Sequence, residues 1–160
     1  MSHWHDILIA LLILHGIAAF LLLGALTHQV ICVWAPVHAR VSNFVGHLRA
    51  VAGADYVGAI IVLYIVTFVL GAIVYPDFKI TASNVLVEKH FVKSLDSFEF
   101  KEHIIAIGLA LLPAYWYYWR RPLVPEHART RAMVTTLLTF IAWWGFITGH
   151  VLNNIRGLGV

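Results

Sequence analysis

The chain has 160 residues, 61% of them hydrophobic and 12% charged, with a formal net charge of +3. A water-soluble domain carries about twice that charged fraction, so the composition points to a chain immersed in lipid. The scattered basic residues form no patch that would hold nucleic acid, and the single cysteine, Cys32 in VICVW, excludes an internal disulfide or a CxxC motif.

In chain order, the N-terminal stretch MSHWHDILIALLILHGIAAFLLLGALTHQ begins as a secretory leader does. It lacks a positive n-region, and its apolar run is too long for a leader core. It is therefore read as a retained first helix over residues 7–34, ended by Pro36. APVHARVSNFVGHLRAVAG follows, basic and partly apolar, which suits a helix lying along a membrane interface. The second helix covers residues 57–75 and is expected to close at Pro76. PDFKITASNVLVEKHFVKSLDSFEFKE, the largest polar segment, is expected to form a long loop to the third helix, residues 104–119. That helix carries Pro113 and ends in YWYYWRR, an aromatic belt followed by cationic anchors. RRPLVPEHART makes a tight turn into the fourth helix, residues 133–152. About 20 helical residues cross a hydrocarbon core. The expected fold is all-α, an integral membrane four-helix bundle with residues 1–160 as one transmembrane domain.

Orientation follows from the basic residues near helix ends. Arg40, Arg49, Arg120, Arg121, Arg129 and Arg131 fall on one side. Lys79, Lys89, Lys93, Lys101 and Arg156 fall on the other, interleaved with Asp77, Glu88, Asp96, Glu99 and Glu102. The arginine side lies in shorter loops and is read as cytoplasmic, which puts both termini outside a bacterial inner membrane.

Ten histidines against eight carboxylates are unusual here, because ionisable groups inside a bilayer are costly and tend to be functional. At about 100° per residue, each helix shows a face richer in small or polar residues. His15 shares one with Ala18, Ala19, Leu22 and Gln29 on the first helix. Tyr64, Thr67, Gly71 and Tyr75 share one on the second, and Thr136, Thr139, Trp143 and His150 share one on the fourth. On the third, Glu99, Ala106, Ala110, Ala114 and Tyr117 cluster around His103. All four faces are expected to turn inward, with His5, His103 and His150 at a similar outer level and His15 deeper.

Two neutral imidazoles from facing helices can ligate haem iron, and small residues beside them leave room for the macrocycle. The favoured function is therefore haem b binding for electron transfer, with His103 and His150 as the axial pair and His15 as the substitute for either. Glu99, Tyr64 and Tyr75 are candidates to orient an imidazole or to meet a quinone headgroup. A second reading is a non-haem metal held by His5, His103, His150 and a carboxylate, a set that suits zinc, copper or iron. No HxxxH or HExxH spacing accompanies it. The third reading is a non-catalytic accessory subunit that packs against other membrane subunits, such as those of a respiratory complex, or against its own copies. In that case the histidines simply bond neighbouring helices, as is expected in any case for His28, His38, His47, His90 and His127. The chain has no Gly-rich phosphate loop and no GxSxG. A redox role would be that of an electron-transfer subunit rather than a stand-alone enzyme.

YPDFK at 75–79 followed by FEFKEH at 98–103 resembles a pattern in small, uncharacterised bacterial membrane proteins with four predicted helices. That resemblance brings no activity with it. The layout is also similar to the four-helix membrane cytochromes b in helix count and in its histidines. Those proteins commonly pair histidines near both membrane faces. Here His28 points away from the His15 face, so the resemblance implies one haem rather than two.

Overall fold

The computed structural model describes residues 2–35, 51–88 and 92–157. They form four long helices: α1 (Ser2–Trp34), α2 (Val57–Glu88), α3 (Val92–Trp119) and α4 (Ala128–Gly157). Short 3-10 turns at Gly53–Tyr56 and Pro125–His127 lead into α2 and α4. Each helix packs against the next, and α4 closes the ring on α1. Cross-helix bonds fix the antiparallel sense: Trp34 meets Thr136 while Thr27 meets Trp143. The N-terminus of α1 and the C-terminus of α4 therefore share one end of the bundle. The expected interfacial helix over residues 36–50 lies outside the described residues, as do Arg40, Arg49, Lys89, His38, His47 and His90.

Three helices are long and apolar enough to cross a membrane. His3–Trp34 has a mean hydropathy of 2.7, Gly53–Asp77 of 2.8 and Pro125–Asn154 of 1.5. α3 misses that standard because its final turns, PAYWYYW, replace aliphatic residues with proline and amphipathic aromatics. The outward surfaces of the helices are apolar nonetheless, with Ile13, Phe20, Val62, Ile107 and Phe140 all more than half exposed.

Two expectations are corrected. Pro76 does not end the second helix, and the polar segment after it is not a long loop: α2 runs through Pro76 to Glu88 and α3 already begins at Val92. A proline removes one backbone bond and bends a helix, but stopping it takes a further breaker, and no glycine follows until Gly108. At 1.5 Å per residue α2 is about 48 Å long, well beyond the about 30 Å of a hydrocarbon core.

The second correction concerns the inward faces of α3 and α4: on α4, Thr136, Trp143 and His150 of the expected strip are exposed and only Thr139 is buried. His103, Ala106, Ala110 and Tyr117 are exposed on the outside of the bundle. The inward face is Gly108, Leu112, Tyr115 and Trp119, all buried. Large aromatics win the interior because each carries both buried area and a polar tip that finds a partner. Tyr115 donates to Gln29 Oε1 at 2.8 Å, and Trp119 Nε1 donates to Thr135 Oγ1 at 2.8 Å. Gly108 is the matching recess on that face: a Cβ there would lie 1.9 Å from the Tyr64 hydroxyl.

The core gathers Leu22, Leu26, Ile60, Tyr64, Leu112, Tyr115, Trp119 and Leu138 in the half away from the termini. Gln29, fully buried there, donates to the Gly53 carbonyl at 2.8 Å and accepts from Tyr115. Thr135 accepts from Trp119 and donates to the Arg131 carbonyl, and the Arg131 guanidinium lies over the Trp119 ring. Outside this core, Arg121 pairs with Asp55.

Candidate functional site

The half of the bundle that holds the termini is hollow. A cavity of about 440 Å³ opens there between all four helices, within the range of about 300–1,000 Å³ typical of small-molecule sites. Its body is apolar, with Leu12, Ala19, Leu23, Phe68, Ala72 and Ala142 among its walls, and its mouth carries His5, Tyr75, Asp77, Lys101, Glu102 and Asn153. His15, Tyr64, Thr67 and His150 also line it.

His15 is half-buried on α1, on the face it shares with Ala18 and Leu22. Its Nδ1 lies 2.9 Å from the Thr67 carbonyl of α2. A carbonyl only accepts, so Nδ1 carries the proton and the neutral ring keeps Nε2 as a bare lone pair. Gly71, one turn along α2, makes this approach possible: a Cβ there would sit 3.0 Å from His15 Cε1. The Thr67 hydroxyl is buried and has no hydrogen-bond partner among the described residues. Tyr64 is anchored by donation to the Ile105 carbonyl at 3.0 Å. His150, on α4, lies with its ring parallel to that of Phe146, centroids 6.1 Å apart.

The sequence candidates separate cleanly. His5, His15, His150, Tyr64 and Tyr75 come to the one cavity. His103 and Glu99 do not line it. His103 is exposed on the outer face of α3, where Nδ1–H donates to the Glu99 carbonyl of its own helix at 2.7 Å. Glu99 is bound to Lys79 of α2 at 2.9 Å. The trio His5, His103 and His150 is thus not assembled, and among the described residues no three His, Cys, Asp or Glu side chains meet as a metal cluster. Two of the interface histidines make local contacts: His28 lies by Tyr56, ring centroids 4.8 Å apart, and His127 sits edge-on to Tyr118 at 5.3 Å.

Sequence reasoning missed Lys101 as part of the site. It lies on the 101, 105, 108, 112 face of α3, and only recognition of that face as the inward one would have found it. It also missed Asp77 and Asn153, for which no sequence signal stands out.

Two imidazoles from different helices, His15 and His150, line the cavity. Apolar walls with small residues between them surround these rings, and charged residues stand at the mouth. No protein-family model, curated protein or solved structure matches the chain.

Proposed function

We propose that the protein is a multi-pass protein of a bacterial inner membrane, with both termini outside, that holds one haem b in the outer cavity and transfers electrons as a subunit of a membrane redox complex. The observation that carries this reading is the 2.9 Å contact of His15 Nδ1 with the Thr67 carbonyl. Its Nδ1–H is committed to the Thr67 carbonyl, so Nε2 is a lone pair in a cavity shared with His150. A ligating histidine is normally oriented in this way by a bond at its other nitrogen. His15 and His150 would be the axial ligands, His15 taking the place first assigned to His103. Gly71 leaves the imidazole its room, and Phe146 backs His150. Bound haem supplies a one-electron iron couple, whose potential burial and hydrogen bonding tune. A quinol is the candidate electron donor and an outer-face protein the candidate acceptor.

The membrane reading draws on the apolar exterior. A soluble monomer rarely exposes contiguous apolar patches of more than a few hundred Å², and here the outward side chains of α1, α2 and α4 are largely aliphatic or aromatic. α3, sharing their level, would be the fourth crossing.

The test is a reduced-minus-oxidised absorption spectrum of the purified protein and of His15→Ala, His150→Ala and His103→Ala. A b-type spectrum lost in the first two variants and kept in the third is the expected result. Well-folded protein made with ample haem that shows no such signal sinks the cytochrome reading.

The exposed strip His103, Ala106 and Ala110 on α3 favours a second reading, an accessory subunit whose α3 packs on another membrane helix. Ala106→Leu with Ala110→Leu would then dissolve a native complex in mild detergent without unfolding the chain.

A further inference from the structure

α1 and α4 meet along a seam whose first two rungs are bonded: Trp34 donates to Thr136, and Trp143 donates to Thr27. Towards the termini the same row of α4 reaches His150, since residues 136, 143 and 150 follow one another every seven positions. On α1, at about 100° per residue, Gly16 falls on the side of the helix that carries Thr27 and Trp34. This third rung is open. Gly16 and His150 are both exposed and both line the cavity, and a Cβ on Gly16 would meet nothing within 4 Å. A glycine in a helix seam ordinarily lets the partner backbone close in, but here the two helices stand apart. Ile9 and Leu12, 46% and 44% exposed, line the cavity from the same side of α1. The other seams are bridged near this level: His15 meets the Thr67 carbonyl, Tyr64 meets the Ile105 carbonyl, and a Cβ on Gly145 would lie 2.8 Å from Ile105. The cavity is therefore open sideways as well as at its mouth. Its side opening has an apolar rim, with Ile13 and Phe20 of α1 and Ile147 and Val151 of α4 all exposed.

We propose that this gap is a lateral portal to the bilayer, and that in the haem-free protein an acyl chain of the surrounding lipid enters the cavity through it. Gly16 lies near the middle of α1, about 21 Å from its first residue at about 1.5 Å per residue, a depth at which a crossing helix is surrounded by hydrocarbon. An apolar opening at that depth meets chains and not water. The cavity's own ligand, arriving by the same route, is a molecule dissolved in the membrane, and haem b, a largely apolar disc, belongs to that class. The inference rests on the membrane reading and not on the haem.

The experiment places the full-length protein, purified without haem, in phosphatidylcholine vesicles that contain a phosphatidylcholine with a diazirine midway along one acyl chain. Illumination converts the diazirine to a carbene that inserts into whatever lies beside it, and mass spectrometry maps the adducts. Wild type is expected to carry adducts on Leu23 and Tyr64, which line the cavity and are otherwise buried. Gly16→Trp, which fills the portal, is expected to lose them. Gly24→Trp is the control: a Cβ there also meets open space, but Gly24 does not line the cavity, so the adducts are expected to remain. Gly16→Leu makes the same comparison if the tryptophan variant does not fold. Absence of adducts on Leu23 and Tyr64 in wild type overturns the portal, as does their survival in the Gly16 variants or an equal loss in Gly24→Trp. Added haem b is expected to displace the chain from wild type. A protein that labels as expected, yet neither binds haem nor loses its adducts, keeps the portal and loses the haem reading.

Discussion

The two halves of the bundle solve opposite problems with the same residue types. In the half away from the termini, a glutamine, a tyrosine, two tryptophans and two threonines are bonded to one another or to backbone: Gln29 to Gly53 and Tyr115, Trp119 to Thr135, Trp34 to Thr136. In the half with the termini, a threonine hydroxyl has no partner among the described residues, a histidine spends one nitrogen on a backbone carbonyl, and about 440 Å³ stays open. Helices in lipid gain little from apolar burial, so packing and interhelical hydrogen bonds hold them together. The closed half supplies those terms. The open half instead carries a polar atom that makes no bond across the bundle among the described residues.

The largest expected effect comes from the waist between the halves, where the Tyr64 hydroxyl rests in the recess at Gly108. Gly108→Val forces a Cβ to within 1.9 Å of that oxygen, so Tyr64 must leave and its bond to Ile105 is lost. Overpacking costs about 1–3 kcal/mol, and an orphaned hydroxyl adds about 1–3 kcal/mol. Thermal unfolding in detergent should therefore show Gly108→Val as the most damaging single change. Tyr64→Phe in the same chain should restore part of the loss, because the hydroxyl is the atom that clashes. A mild phenotype without that rescue would mean the halves are not locked at this point.

One substitution made twice sharpens the contrast. Thr135→Val in the closed half strands the Trp119 indole N–H and should cost about 1–3 kcal/mol. Thr67→Val in the open half removes a buried hydroxyl that has no partner among the described residues. It should change stability by less than about 0.5 kcal/mol, or raise it, since an unsatisfied buried hydroxyl is itself unfavourable. The shape is conserved in both, so the difference in midpoint reads hydrogen-bond satisfaction alone. Equal losses at the two sites would show that the open half is as tightly satisfied as the closed one.

Much of this arrangement was legible in the sequence. Apolar length located the helices, and helical spacing put His15, Ala18 and Gln29 on one inward face and Tyr64, Thr67 and Gly71 on another. The facing of α3 was not legible. The sequence offers two plausible inward strips there, one small and marked by His103, the other bulky and ended by Tyr115 and Trp119. What decides between them is Gln29 of α1 and Thr135 of α4, which accept from those aromatics across the bundle, and no local pattern in α3 contains that. Because His103 went to the wrong face, Lys101 was overlooked on the right one. The helical course of residues 77–88 was hidden for a different reason: their polarity reads as a loop, although polarity reports surroundings and not backbone conformation.

The smallest effect belongs to the rim, where Lys79 of α2 meets Glu99 of α3 and ties together the two helices that extend furthest from the core. The hydrogen bond from Lys79, reinforced by its charge, holds the Glu99 carboxyl below the usual carboxylate range. The bond to Glu99 in turn raises Lys79 above the usual ammonium range. For the carboxylate the unfolded chain binds more protons at acid pH, so this contribution is present above the ordinary carboxylate range and lost as pH falls through the depressed value. For the ammonium it is present below the ordinary lysine range and lost as pH rises through the raised one. Both groups are exposed, so the pair is screened by salt and its contribution is small. Glu99→Gln should accordingly leave stability near neutral pH almost unchanged and remove a shallow acid-side slope seen in wild type at low ionic strength. The same slope should fade in wild type as salt is added. A slope that persists unchanged in Glu99→Gln would show that the Lys79–Glu99 pair is not its source.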